Sequence, residues 1–231
     1  MITTVVFDLD DTLYDEIDYC RSGFTCAAEF LANLLNAPAP RIFDALWKQF
    51  NAGNRKNTFN ATLDELGMGF DEKLIDELIK VYRNHVPKIT LPDDSRDVLS
   101  QLSGKYTLAL LTDGFLPAQQ LKVQALGIEK YFKCIIYTEQ LGLDHSGWKP
   151  SPVGFEKLMK NLNAQPQNSA YIADNEKKDF IAPNKLGFLT IQIIRPARLH
   201  TKTAPQADAV ARYKIYKISQ LSDLLVKVKN A

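Results

Sequence analysis

The opening stretch Ile2-Thr3-Thr4-Val5-Val6-Phe7-Asp8-Leu9-Asp10-Asp11-Thr12-Leu13 constrains this chain more than any other. Its first half is apolar and β-branched and reads as a buried strand. The strand runs into three acids within four positions, Asp8, Asp10 and Asp11. Carboxylates so crowded repel one another, by about 4 kcal/mol for a pair ~4 Å apart at an effective dielectric of ~20. A fold retains them where a cation sits among them or where one stays protonated. Because the strand is ending, the turn can aim one side chain at a substrate and leave a backbone carbonyl for a metal. A solvated loop or a helix N-cap also accommodates a lone Asp-x-Asp. Acids that end a buried strand and are followed at once by Thr12 fit that plainer reading poorly.

Composition narrows the class without naming a function. The 231 residues suffice for one full domain and a small one. With 28 basic against 27 acidic side chains, the net charge of +1 gives no electrostatic reason to expect a nucleic-acid polymer or an anionic membrane as partner. No apolar run approaches the ~20 residues of a membrane span. The N-terminus enters a strand directly, without a signal-peptide pattern. Cys20, Cys26 and Cys134 are odd in number and lack metal-ligand spacing, so reduced thiols and a cytoplasmic setting are expected. Three scattered histidines make a zinc site a poor expectation.

After Thr12 the pattern turns helical for about eighty residues. Phe24, Ala27, Ala28, Leu31, Leu34 and Leu35 recur at helical spacing. Pro38 and Pro40 break that helix, and a second begins near Arg41. A short helix around Thr62 to Leu66 and another from about Asp71 to Arg83 follow, and Pro87 closes the block. From Leu91 onward strands and helices alternate. Strands are expected at Tyr106–Leu111, Cys134–Thr138, Ser169–Ala173 and Leu189–Ile194, with a further short one at Ala207–Val210 before a C-terminal helix from Ile218. Pro183 is expected in the first turn of its helix. The alternation implies an α/β fold, a Rossmann-like parallel sheet covered on both faces, with a small all-helical domain inserted after the first strand. The expected division is residues 1–14 and 90–231 for the core and 15–89 for the insertion. In such sheets ligands bind beyond the carboxyl ends of the strands. Asp8, Thr112 and Asp174 each follow a separate buried strand at that end.

The string Asp8-x-Asp10-x-Thr12 resembles the first motif of the haloacid dehalogenase-like superfamily, in its phosphatase branch. The likeness continues in order through Leu111-Thr112-Asp113-Gly114, Trp148-Lys149-Pro150 and Asp174-Asn175-Glu176-Lys177-Lys178-Asp179. The first and last strings are specific; the middle two are weak alone. The helical block resembles the superfamily's inserted cap, which closes over the site and selects the substrate. The resemblance departs in three places. Ala173 stands where Gly is common, Lys178 where Asn is common, and Asp113 where a neutral Asn is frequent.

The resemblance implies a role for each residue in phosphate-monoester hydrolysis. Asp8 is the nucleophile that becomes an aspartyl-phosphate, and Asp10 is general acid and then general base. Asp8, Asp174 and the main-chain carbonyl of Asp10 form an oxygen-rich site suited to Mg²⁺. Thr112, Asp113 and Lys149 bind the phosphate, Lys149 also neutralising the nucleophile, and Asp179 orients Lys149 or a metal-bound water. The expected substrate is a small phosphorylated metabolite such as a sugar phosphate or nucleotide. Asp10 argues against a dehalogenase, in which an ester to carbon needs no such proton donor. A sugar phosphomutase and a non-catalytic binding module stay open as alternatives. The oligomeric state is not legible.

Overall fold

The computed structural model describes residues 1–201, 203–204 and 206–229. Six strands form one sheet: β1 Thr4–Phe7, β2 Thr107–Thr112, β3 Cys134–Tyr137, β4 Ser169–Ala173, β5 Leu189–Ile193 and β6 Tyr213–Ile215. Their order is β3-β2-β1-β4-β5-β6, and every neighbouring pair is parallel. The strands are almost continuously apolar because helices cover both faces of a parallel sheet. β1, β4 and β5 are buried at every residue. On one face Val6, Ala109, Leu111, Tyr171 and Ala173 pack with Phe155 and Leu158. The last two come from the helix Val153–Leu162. The rings of Phe155 and Tyr171 meet edge to face at 4.9 Å.

Register brings the polar strand ends together. Phe7 lies opposite Leu110 on one side and Ile172 on the other, so the residues just beyond β1, β2 and β4 share one edge. The chain leaves β1 for β2 on one side and later returns to β4 on the other. That reversal is the topological switch point at which open α/β sheets bind ligands.

The expected strand at Ala207–Val210 is instead a 3₁₀ turn over Ala207–Ala209, and the edge strand is Tyr213–Ile215. Ala and Asp are poor strand formers, whereas Tyr and Ile are good ones. Three residues are too few for any periodic signal, so only pairing with Ile191–Ile193 defines this strand. Pro183 does fall in the first turn of its helix, Ile181–Leu186. Pro38 and Pro40 do more than stop one helix. Pro38 is the N-cap of the next and Pro40 lies in its first turn, so that helix begins at Ala39.

The chain divides into two compact units. The first holds Met1–Ile17, Thr90–Phe115 and Leu126–Ala231, and so the whole sheet. The second holds Asp18–Ile89 and also Leu116–Ala125. Five helices build the second unit: α1 Glu16–Leu35 from Asp18 onward, α2 Ala39–Asn51, α3 Thr58–Glu65, α4 Glu72–Asn84 and most of Ala118–Leu126. Phe24 is its hub, with Phe50 at 5.4 Å and Tyr82 at 5.1 Å between ring centroids. Gly23 lets α1 approach closely, since a Cβ there would lie 2.6 Å from the Tyr82 ring.

His85 ties this unit together with polar contacts. Its Nδ1 lies 2.6 Å from the Tyr82 carbonyl and its Nε2 3.0 Å from Ser22 Oγ. A carbonyl only accepts, so Nδ1 carries the hydrogen and Nε2 accepts from the Ser22 hydroxyl. Ser22 Oγ in turn accepts from the Lys88 amide at 2.8 Å. Burial lowers the His85 pKa, and the Lys122 cation adds to the effect against the Tyr82 carbonyl. An imidazole that is easier to protonate in the unfolded chain stabilises the fold above the ordinary pKa of ~6.5 and costs stability as pH falls below it. Urea midpoints measured from pH 8 to pH 5 should therefore drop less steeply in His85→Gln than in the wild type.

Candidate active site

The three crowded acids have three different environments. Asp8 continues the β1 ladder, its amide donating to the Ile172 carbonyl at 2.9 Å, and its carboxylate is buried. Tyr14 donates to Asp10 Oδ1 at 2.5 Å. Asp11, in the left-handed region at φ 53° that Asp tolerates, is wholly buried. Its two oxygens accept from the amides of Glu16 at 2.9 Å and Leu199 at 2.6 Å. Burial pushes the Asp11 carboxyl up to about 6 against those hydrogen bonds. It serves to clasp the turn and leaves the site to the other two. Tyr14 lies two residues past the acid motif, where a tyrosine at the mouth of a helix carries no signal in the sequence.

Lys149 is the electrostatic centre. Its ammonium donates to Asp8 Oδ1 at 2.6 Å and Tyr171 Oη at 3.0 Å, and lies 2.8 Å from Asp179 Oδ1. Two of these contacts are hydrogen bonds and the third, to Asp179, is an ion pair, and the side chain is 1% exposed. Burial works against the charge, but Asp179 and Asp8 outweigh it and hold Lys149 protonated well above the ordinary lysine range. The loop that delivers it is braced by ring contacts among Phe115, His145 and Trp148, with Trp148 Nε1 donating to Glu139 at 3.0 Å. Asp179 also accepts from the Asn175 amide at 3.0 Å, which folds the turn after β4 back on itself. Tyr171 gave no sequence signal as a site residue, since an aromatic residue in a buried strand reads as core.

Thr112 is buried at the end of β2, on the same edge. Its carbonyl accepts from Thr138 Oγ1 at 3.3 Å. The next residue, Asp113, receives Thr138 Oγ1 at 2.8 Å and the Lys149 amide at 3.2 Å on one oxygen. Its other oxygen pairs with Lys178 Nζ at 2.7 Å. Thr138, at the end of β3, joins the network through this hydroxyl alone; nothing in its sequence context marks it.

Asp174 completes the edge and is the least satisfied member. Oxygens of Asp8, Asp174 and Asp179 lie within 4.8 Å of one another. Asp174 Oδ2 is buried and makes no hydrogen bond among the described residues. Burial, with Asp179, Asp8 and Asp11 nearby, pushes the Asp174 carboxyl up to about 10. Asp8 is pushed up to about 7, chiefly by burial, with Lys149 opposing. Asp174 is fixed from behind, its carbonyl accepting from Gln192 Nε2 at 2.9 Å. A cluster of buried carboxylates in which Asp174 Oδ2 and Asp179 Oδ1 accept no hydrogen bond among the described residues, with a shortage of positive charge, suits a hard divalent cation with oxygen ligands.

The chain belongs to the haloacid dehalogenase-like hydrolase family, whose model matches residues 2–187. It is 26% identical to the glyceraldehyde 3-phosphate phosphatase of Methanocaldococcus jannaschii, across 100% of this chain and 98% of that one. It is 23% identical to the N-acylneuraminate-9-phosphatase of Mus musculus, across 98% of this chain and 95% of the relative. Among solved structures, the magnesium-bound hydrolase YfnB of Bacillus subtilis shares the fold at a TM-score of 0.67 and 22% identity, covering 97% of this chain and 98% of that one.

Removing the charge of the unsatisfied acid should stabilise the fold. Asp174→Asn keeps the shape and removes a carboxylate that must otherwise stay protonated or repel its neighbours. In metal-free buffer at neutral pH its thermal midpoint should lie above that of the wild type, and a lower midpoint would contradict the electrostatics described above.

Proposed function

We propose that the chain is a Mg²⁺-dependent phosphatase that hydrolyses a small phosphorylated metabolite, a sugar phosphate, nucleotide or similar compound, through an aspartyl-phosphate on Asp8. The observation that carries this reading is the Lys149 ammonium bonded to Asp8 and placed against Asp179, on the edge where Thr112 and Asp174 also end their strands. The named activities of the glyceraldehyde 3-phosphate phosphatase and the N-acylneuraminate-9-phosphatase support the phosphoric monoester hydrolase class.

Attack by an anionic carboxylate on an anionic phosphate ester needs charge neutralisation above all. Lys149 supplies it from within the chain, holding one oxygen of Asp8 while the nucleophile is buried. An Asp8 oxygen forms a bond to phosphorus as the ester P–O bond breaks. Asp10 gives its proton to the departing oxygen, and Tyr14 anchors it while it does so. In the second half Asp10 takes a proton from water, the water oxygen attacks phosphorus, and inorganic phosphate leaves with Asp8 regenerated. Thr112 and the adjacent backbone amides hydrogen-bond the phosphoryl oxygens. Asp179 keeps the Lys149 ammonium aimed. Asp8, Asp174 and the carbonyl of Asp10 are the groups that would hold Mg²⁺. The ion, when bound, neutralises phosphoryl charge and orients the ester.

Residues 15–89 act as the helical cap that selects the substrate, a reading supported by their composition of helices α1 to α4. The setting is cytoplasmic, in keeping with three free cysteines. No helix among the described residues is long and apolar enough to cross a membrane.

Phosphate release from a broad panel of sugar phosphates, nucleotides and short organic phosphates tests the reading. Turnover should require Mg²⁺, stop with EDTA, and fall below about a tenth of wild type in folded Asp8→Asn, because covalent catalysis loses its nucleophile. Folded wild-type protein that is silent across the whole panel would overturn it.

A further inference from the structure

Asp113 and Lys178, the two charged departures from the family pattern, are partners in space. Lys178 Nζ lies 2.7 Å from Asp113 Oδ2, although the residues are 65 positions apart. The Asp113 side chain is 3% exposed and that of Lys178 33%. The other Asp113 oxygen takes the Thr138 hydroxyl and the Lys149 amide. A neutral amide oxygen would accept those two bonds equally well. The negative charge at position 113 therefore serves the cations, pairing with Lys178 and also opposing Lys149.

That charge sits directly after Thr112, where a phosphate must bind. Four buried acids face the edge, Asp8, Asp113, Asp174 and Asp179, against the cations Lys149 and Lys178. Lys149 is enclosed by Asp8, Tyr171 and Asp179. Lys178 is held at one point and stays partly exposed, and it also attracts Asp8 and Asp179 electrostatically. A flexible surface lysine would lose rotamer entropy on reaching an anion. Here Asp113 has already ordered it.

We propose that Lys178 is a specificity-determining cation for the substrate's phosphate group, and that Asp113 is the positioning residue that aims it. The proposal rests on the phosphatase reading and deepens it. A different account is an ion pair that only braces the turn after β4. The two accounts differ in sign. Bracing makes the two single substitutions equivalent, since each deletes the same pair. A cation for phosphate makes them opposite: losing Lys178 leaves a buried acid beside the phosphate, whereas losing the Asp113 charge frees the lysine from its paired acid.

The experiment is titration calorimetry with inorganic phosphate, in Mg²⁺, on wild type, Lys178→Asn, Asp113→Asn, the double variant and Lys178→Arg, with thermal midpoints as a folding check. Lys178→Asn should weaken phosphate binding about tenfold. Asp113→Asn should tighten it, the double variant should bind better than Lys178→Asn, and Lys178→Arg should stay near wild type. With p-nitrophenyl phosphate the loss in Lys178→Asn should appear mainly in KM. Equal weakening by both single substitutions, or wild-type affinity in Lys178→Asn, would overturn the proposal. If Lys178→Asn does not fold, Lys178→Gln asks the same question with a longer neutral side chain. Wild-type protein that binds phosphate but turns over no ester would sink the phosphatase reading alone, because the order of phosphate affinities still decides the role of Lys178.

Discussion

The buried ammonium of Lys149 holds the carboxyl edge of the sheet together. It reaches from a loop after β3 to an acid after β1, an acid after β4 and a phenol within β4. Burying a lysine is costly unless its protons are matched and its charge is opposed, and a half-satisfied arrangement is worse than an apolar one. Here two hydrogen bonds and an ion pair surround the ammonium, so the three segments are fixed relative to one another before any ligand arrives. The pair with Asp8 is therefore as much an organising contact as a chemical one.

The same edge carries a deliberate imbalance. Asp174 is fixed through its backbone by Gln192 yet has a buried oxygen that makes no hydrogen bond among the described residues. Stability alone would favour an amide there. A strained set of carboxylates persists where its discomfort is relieved by something that binds, and sites built this way sit at the low end of intrinsic stability. Asp11 shows the contrast. It comes from the same crowded triplet but satisfies both oxygens on backbone amides, and it works as a structural clasp.

The family strings were legible because strand ends concentrate chemistry at fixed positions in a parallel sheet. Asp8, Thr112 and Asp174 could be picked out on that ground, and Lys149 and Asp179 by their resemblance to the family's later strings. Tyr14, Thr138 and Tyr171 could not, since each is ordinary in its local context and gains its role only from a partner distant in space or fixed by a particular turn. The helices of the second unit were visible from apolar periodicity, but the inclusion of Leu116–Ala125 in that unit was not. Periodicity reports that a helix has a buried face and says nothing about which neighbours bury it.

By itself the sequence determined the class of fold, the alternation that makes the sheet parallel, and which strands end in acids or threonine. These follow from local rules: period, breakers and burial of apolar runs. Only the tertiary structure decided the pairings: Lys149 with Asp8, Asp179 and Tyr171, and Asp113 with Lys178 across 65 residues. A charge pair depends on distances of a few ångströms between strand ends, and those distances are set by register and crossover. No local pattern encodes them, so two departures that look unrelated in the chain prove to be a single charge-compensated change in the fold.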